Sequence, residues 1–164
     1  MTDIQLAIVV GTRPEIIKLS PVIRCCEERD IHHTLIHTGQ HYSDELNSVF
    51  FERLSLPEPD YHLGVGSGTH GKQTAEMLVG IERIVTDENI DVVLVQGDTN
   101  SVLAGAIATS KLDAELGHIE SGLRSFDRDM PEEINRILTD HAGDHLFAPT
   151  EESADLLRDE DIDD

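Results

Sequence analysis

Positive charge is what this 164-residue chain has least of: Lys and Arg number 12 against 33 Asp and Glu, for a formal net charge of -21. Three of the cations are lysines, namely Lys18, Lys72 and Lys111. Such a field repels nucleic acid and anionic membrane, which argues against both as partners. It also repels an anionic nucleotide, unless the few cations are placed locally to receive one. The acids are spread along the whole chain and read as a solvated surface suited to high-salt cytoplasm, with a regulatory tail or a cation site as the alternatives. The one concentrated run, Asp159 to Asp164, reads as a frayed end.

Cysteine is scarce too. Cys25 and Cys26 are adjacent in a helix-like stretch, where neighbours point about 100° apart, and no second pair supplies zinc-ligand spacing. They read as reduced and structural. No apolar run reaches membrane-spanning length, and Met1-Thr2-Asp3 does not open like a signal peptide, so the expected location is cytoplasmic. The motifs G-x-x-x-x-G-K-S/T and G-x-S-x-G are missing, which speaks against P-loop chemistry and an α/β-hydrolase. His32, His33, His118, His141 and His145 read as packing or surface residues, and without H-E-x-x-H no metal or other cofactor is expected.

What is present is a regular alternation of strand-like and helix-like runs. Gln5 to Val10, Thr34 to His37, Asp91 to Val95, Ala114 to Ile119 and His145 to Ala148 read as strands. Helices are predicted from Pro14 to about Arg29, Ser43 to Leu54, Lys72 to Glu88, Ser101 to Lys111, Pro131 to His141, and after a cap at Thr150. The predicted inner faces are Ile16, Ile17, Val22 and Ile23 in the first helix and Leu46, Val49, Phe50 and Leu54 in the second. In the third they are Leu78, Ile81 and Val85. The order implies one α/β domain, a doubly wound, mostly parallel sheet with helices on both faces.

Chemistry concentrates where these runs meet. Gly11 to Glu15 joins the first strand to the first helix; the helix start, Arg13 and Lys18 would together make an anion site, or simply an ordinary βα turn with exposed cations. Gly66-Ser67-Gly68-Thr69-His70-Gly71 matches G-x-G-x-x-G but follows a poor strand, so a loop near the crevice is the better reading than a dinucleotide site. Asp98 follows the strand Asp91 to Val95, and Glu120 holds the equivalent place after Ala114 to Ile119. Acids at the ends of parallel strands point into the crevice where such sheets bind ligands. Asp98 could alternatively cap the next helix. Glu132 and Glu133 occupy a first helical turn, where negative charge is favoured. For Glu133 helix-end stabilisation is the preferred reading, and for Glu132 both roles stay open. Gathered carboxylates perturb one another, so one can hold a proton while another abstracts one.

The blocks Gly11 to Lys18 (GTRPEIIK), Gly39 to His41, Val95 to Thr99 (VQGDT), Gly117 to Arg124 (GHIESGLR) and Pro131 to Arg136 (PEEINR) together resemble the non-hydrolysing UDP-N-acetylglucosamine 2-epimerases. The resemblance covers nearly the whole chain and implies the N-terminal Rossmann-like lobe of a two-lobed glycosyltransferase-B-like fold, the C-terminal lobe being absent. It implies interconversion of UDP-GlcNAc and UDP-ManNAc without oxidant or metal, with Asp98, Glu120 and Glu132 at the family's catalytic carboxylate positions. Arg13 and Lys18 match substrate contacts, and a homodimer is implied. Gln40 and His41 match candidate regulatory residues, although Tyr42-Ser43 stands where bacterial relatives with an activating site read Arg-Gln. A hydrolysing epimerase and a non-catalytic dimerisation module are the alternatives.

Overall fold

The computed structural model describes residues 4–39 and 44–162, without the side chains of residues 44–48. The chain runs β1 (Leu6–Val10), α1 (Arg13–Glu28), β2 (His33–His37), α2 (Asp44–Arg53), β3 (Tyr61–His62) and α3 (His70–Asp87). It continues through β4 (Val92–Gln96), α4 (Asn100–Thr109), β5 (Glu115–Ile119), α5 (Pro131–Ala142), β6 (His145–Phe147) and α6 (Glu151–Asp159). The strands form one parallel sheet in the order β3-β2-β1-β4-β5-β6. This is the doubly wound α/β arrangement. The chain leaves β1 towards one edge and β4 towards the other, so the loops after these two strands part and leave a crevice at their carboxyl ends.

Side chains alternate across each strand, and β1 therefore feeds two cores. Ala7 and Val9 join Met77, Ile81, Ile84 and Val85 of α3 and Val102, Ala104, Ala106 and Ala108 of α4. Ile8 and Val10 join Ile16, Leu19 and Ile23 of α1 and Phe51 of α2. A strand apolar at every position is what a sheet covered on both faces requires. The predicted face of α3 is found, whereas two others are rotated. Leu19 is buried and Ile17 is exposed in α1, and α2 buries Phe51 and exposes Val49. Phe51 meets the His37 ring edge-on at 6.2 Å, a contact across elements that period alone does not reveal. The proposed cap Ser43 lies outside the described residues.

The helices carry their own punctuation. Pro21 interrupts α1 and cannot donate to the carbonyl of Ile17, four residues back; the Ser20 hydroxyl donates to it instead, at 2.8 Å. Four helices end alike, α1, α2, α3 and α6. Asp30, Ser55, Asn89 and Asp161 take φ between 51° and 57°. The next residue (Ile31, Leu56, Ile90 or Ile162) donates its N–H five residues back, to Cys26, Phe51, Val85 or Leu157. This is the Schellman closure, and at the ends of α2 and α3 the apolar residue that completes it, Leu56 or Ile90, is buried.

The acidic end is not frayed over its described part. Asp159 closes α6, and the carboxylate of Glu160 is gripped by Arg124, from Nε at 2.8 Å and Nη2 at 2.6 Å. The Arg124 side chain is 1% exposed. Composition marked the run as solvated because it holds no sign of a buried guanidinium 36 residues away. Beside it, a Cβ on Gly122 would lie 2.2 Å from the Ser153 carbonyl, so glycine lets α6 approach. Cys25 and Cys26 are free thiols. Among the described residues no helix is long and apolar enough to cross a membrane.

Candidate active site

The carboxyl ends of β4 and β5 place Gln96, Gly97 and Asp98 beside Glu120. Glu120 has φ 71°, a left-handed conformation that a non-glycine residue adopts at some cost. Its N–H donates to the carbonyl of Phe147, which ties the backbone at this turn. Lys18 of α1 then reaches across and puts Nζ 2.8 Å from each Glu120 oxygen, and Gln96 Nε2 donates to Oε2. The pair is half-open to solvent, as a site for a small polar ligand must be.

Asp98 does not cap α4. Thr99 does so, its hydroxyl accepting from the Val102 N–H. Asp98 is left to pair with Arg136 of α5, whose Nη2 lies 2.6 Å from Oδ2. Asn135, one residue earlier, donates to the Asp98 carbonyl at 2.9 Å. Arg136 is itself aimed by Glu133 at 2.9 Å. Glu133 is therefore more than a helix-end charge: it is buried and also accepts the N–H groups of Ser125 and Phe126, at 3.0 and 2.8 Å. Burial works to raise its pKa, yet these amides and Arg136 hold it below the ordinary carboxylate value. Glu132, its neighbour in the first turn of α5, is exposed.

The head of α1 is filled from within. Glu15, 2% exposed, accepts from the N–H groups of Gly11 and Thr12 through Oε2 and from the Thr99 hydroxyl through Oε1. It thus joins the loops after β1 and β4 across the crevice floor. Burial outweighs these hydrogen bonds, with Asp98 adding repulsion, and lifts its pKa from 4.5 to about 7. Two of the amides that a bound anion was expected to find are thereby occupied. Arg13 lies exposed over the Phe50 ring, 5.1 Å from its centre, and Lys18 is engaged by Glu120.

Of the residues singled out by sequence, Asp98 and Glu120 stand at the carboxyl ends of β4 and β5 and Lys18 reaches Glu120, whereas Arg13 lies exposed over Phe50 and Glu132 is exposed in the first turn of α5. Gln40 and His41 lie outside the described residues. Glu15 and Arg136 were missed as site residues; the spacing of Glu133 and Arg136, three apart on a helix, was the available signal. Among the described residues no cluster of His, Cys, Asp and Glu has the form of a metal site. The Gly-rich loop follows the short edge strand β3 and supplies Thr69 as the cap of α3, not the turn after β1 where a dinucleotide fingerprint belongs.

The fold and these loops define a Rossmann-like α/β lobe with acids at the carboxyl ends of its central strands, beside the topological switch point. Comparison with known proteins makes the class specific. The family model for UDP-N-acetylglucosamine 2-epimerase matches residues 24–164. A UDP-N-acetylglucosamine 2-epimerase of Methanocaldococcus jannaschii is 60% identical over 147 residues, covering 90% of this chain and 40% of its own length. One from Methanococcus maripaludis is 57% identical over 160 residues, covering 98% of this chain and 43% of its own. The crystal structure of the M. jannaschii UDP-GlcNAc 2-epimerase in complex with UDP-GlcNAc and UDP superposes with a TM-score of 0.94 at 57% identity, over 98% of this chain and 44% of that one. The chain belongs to the UDP-N-acetylglucosamine 2-epimerase family and spans under half the length of these relatives.

Proposed function

We propose that this chain is the N-terminal catalytic lobe of a cytoplasmic enzyme that interconverts UDP-N-acetylglucosamine and UDP-N-acetylmannosamine. A carboxylate takes the proton from sugar C2, the C1–O bond to UDP breaks with its electron pair leaving on the diphosphate, and a C1=C2 double bond forms. Return of a proton to the opposite face of C2, with re-formation of the C1–O bond, inverts that centre. Asp98, Glu120 and Glu132 are the proposed proton-handling groups, with Arg13 and Lys18 directed at the substrate. The observation that carries this reading is the contact of Lys18 with both oxygens of Glu120 at the switch-point crevice. A base and a cation in contact are what abstraction of a weakly acidic proton beside an anionic leaving group needs.

The chain supplies one wall of the crevice, and near-attack geometry requires the sugar to be held from both sides. Alone it is therefore expected to bind UDP-GlcNAc weakly, with amide shifts at Lys18, Gly97 and Glu120, and to exchange the C2 hydrogen with deuterated buffer at a trace rate that Asp98→Asn removes. Amide shifts confined to other faces would overturn the site, and exchange at an ordinary enzymatic rate would overturn the incompleteness. Product analysis separates the hydrolysing alternative, which alone releases free ManNAc. Self-association belongs to the same proposal. An apolar groove of about 610 Å³ between α3, α4 and α5, lined by Ala75, Leu78, Leu103 and Ile134, is the surface offered for a second copy. Light scattering at the monomer mass would refute the dimer.

A further inference from the structure

Beneath the crevice runs a buried ionic line that the proposed chemistry does not use. His118 of β5 is fully buried. Its Nδ1 lies 2.6 Å from Asp140 Oδ1 and its Nε2 lies 2.8 Å from the carbonyl oxygen of Gly97. The second Asp140 oxygen accepts from Arg124 Nη1 at 2.6 Å and from the Gly122 N–H at 3.1 Å, and Arg124 grips Glu160 beyond it. His141 stands 3.8 Å from Glu160, on the outer side of the line.

Both neighbours of the imidazole ring are acceptors. A neutral ring has one N–H and would set a bare lone pair against either a carboxylate or a carbonyl, out of reach of water; the doubly protonated ring donates to both. Asp140 is the fitting counter-ion. Although burial works against its charged form, His118, Arg124 and Gly122 hold its pKa below the usual value.

The atom this ring grips matters. Gly97 has φ 87°, and as a glycine it has no side chain to fix its backbone. Its carbonyl belongs to the Gly97–Asp98 peptide. Because that unit is planar and trans, turning the carbonyl towards His118 turns the Asp98 N–H away from it. Arg136 holds the Asp98 side chain from one side, and the buried ring holds its backbone from the other.

We propose that His118, as a buried imidazolium paired with Asp140, is a positioning residue that locks the Gly97–Asp98 peptide and so sets the direction in which Asp98 enters the crevice. The inference rests on Asp98 being a crevice acid, but its test needs no substrate, so failure of the epimerase reading would leave the outcome legible.

The test is two-bond proton–nitrogen spectroscopy on the histidine-labelled 164-residue chain at neutral pH. Both ring nitrogens of His118 should carry protons; one unprotonated nitrogen would overturn the proposal. In His118→Leu the amide signals of Gly97, Asp98 and Thr99 should shift and broaden, and in His118→Gln, whose amide can still donate to the Gly97 carbonyl, they should partly return. Loss of thermal stability in both variants with those three signals unmoved would mean that the ring is merely structural. Should His118→Leu fail to fold, Asp140→Asn serves in its place. Removal of the counter-charge should strip one ring proton and move the same three signals, and unmoved signals would again sink the idea.

Discussion

Lys18 Nζ lies 2.8 Å from both carboxylate oxygens of Glu120, a residue 102 positions further along the chain. The contact joins the first helix to the end of β5 and faces a backbone turn that no ordinary side chain favours. Glu120 keeps φ 71° although glycine would accept it freely. A strained residue at the mouth of a switch-point crevice is what selection for the side chain, against backbone comfort, leaves behind. Glu120→Gly should therefore be more stable than Glu120→Ala, by about 1 kcal/mol, when urea midpoints are compared. Equal midpoints would show that the turn is unstrained.

Glu15 should shape the dependence of stability on pH. Its folded-state pKa is lifted from 4.5 to about 7, so between those values the folded chain binds more proton than the unfolded one. Stability from this group is present at pH values below 4.5 and is lost as pH rises through about 7, by roughly 3 kcal/mol in all. Glu133 and Asp140 act oppositely: their lowered values give stability that is lost as pH falls below the ordinary carboxylate range. The urea midpoint should thus peak near pH 5, roughly between the two windows, and decline towards neutrality. In Glu15→Gln the decline on the neutral side should be flattened while the acid limb stays.

The four Schellman closures give a cleaner test of backbone preference. Asp30, Ser55, Asn89 and Asp161 are left-handed without being glycine. Replacing Asn89 or Ser55 by glycine should stabilise the chain by about 0.5 kcal/mol each, and the two together should add, since the helix ends they close are separate. A loss of stability would mean that the present side chains hold these ends in some other way.

Salt should stabilise. With a formal charge of -21 the folded surface repels itself, and screening weakens that repulsion as ionic strength rises. Melting temperature should climb with added sodium chloride, by about 2–4 °C for each kcal/mol of repulsion removed in a chain of this size. A flat response would mean that the acids are already compensated locally.

The fold was legible because its central strands are apolar at nearly every position and end in abrupt polar turns. Val92 to Val95 runs straight into Gln96-Gly97-Asp98, and both the strand and the acid at its end follow from that edge. Burial on both faces also explains why helix orientation was harder to read. In α2, Val49, Phe50 and Phe51 are all apolar, and only packing against β1, α1 and the His37 ring decides that Phe51 goes in. Asp98 and Glu120 were legible because acids stood at strand ends, and Lys18 because it lies about one turn into the helix that follows the first strand. Glu15 was not, since a carboxylate in the first turn of a helix ordinarily faces water, and its burial depends on Thr99, 84 residues away. Glu132 and Glu133 are chemically identical in sequence, and only the course of the loop through Ser125 and Phe126 tells them apart.

Helix α6 buries little grease, chiefly Leu157, and is moored instead by one guanidinium that reaches Glu160 from inside the protein. Brine strong enough to quieten the acidic exterior weakens that mooring less, because Arg124 is shut away from solvent while Glu160 is only partly open to it. The helix should hence stay berthed where looser surface pairings, such as Arg158 with Asp155, have already let go.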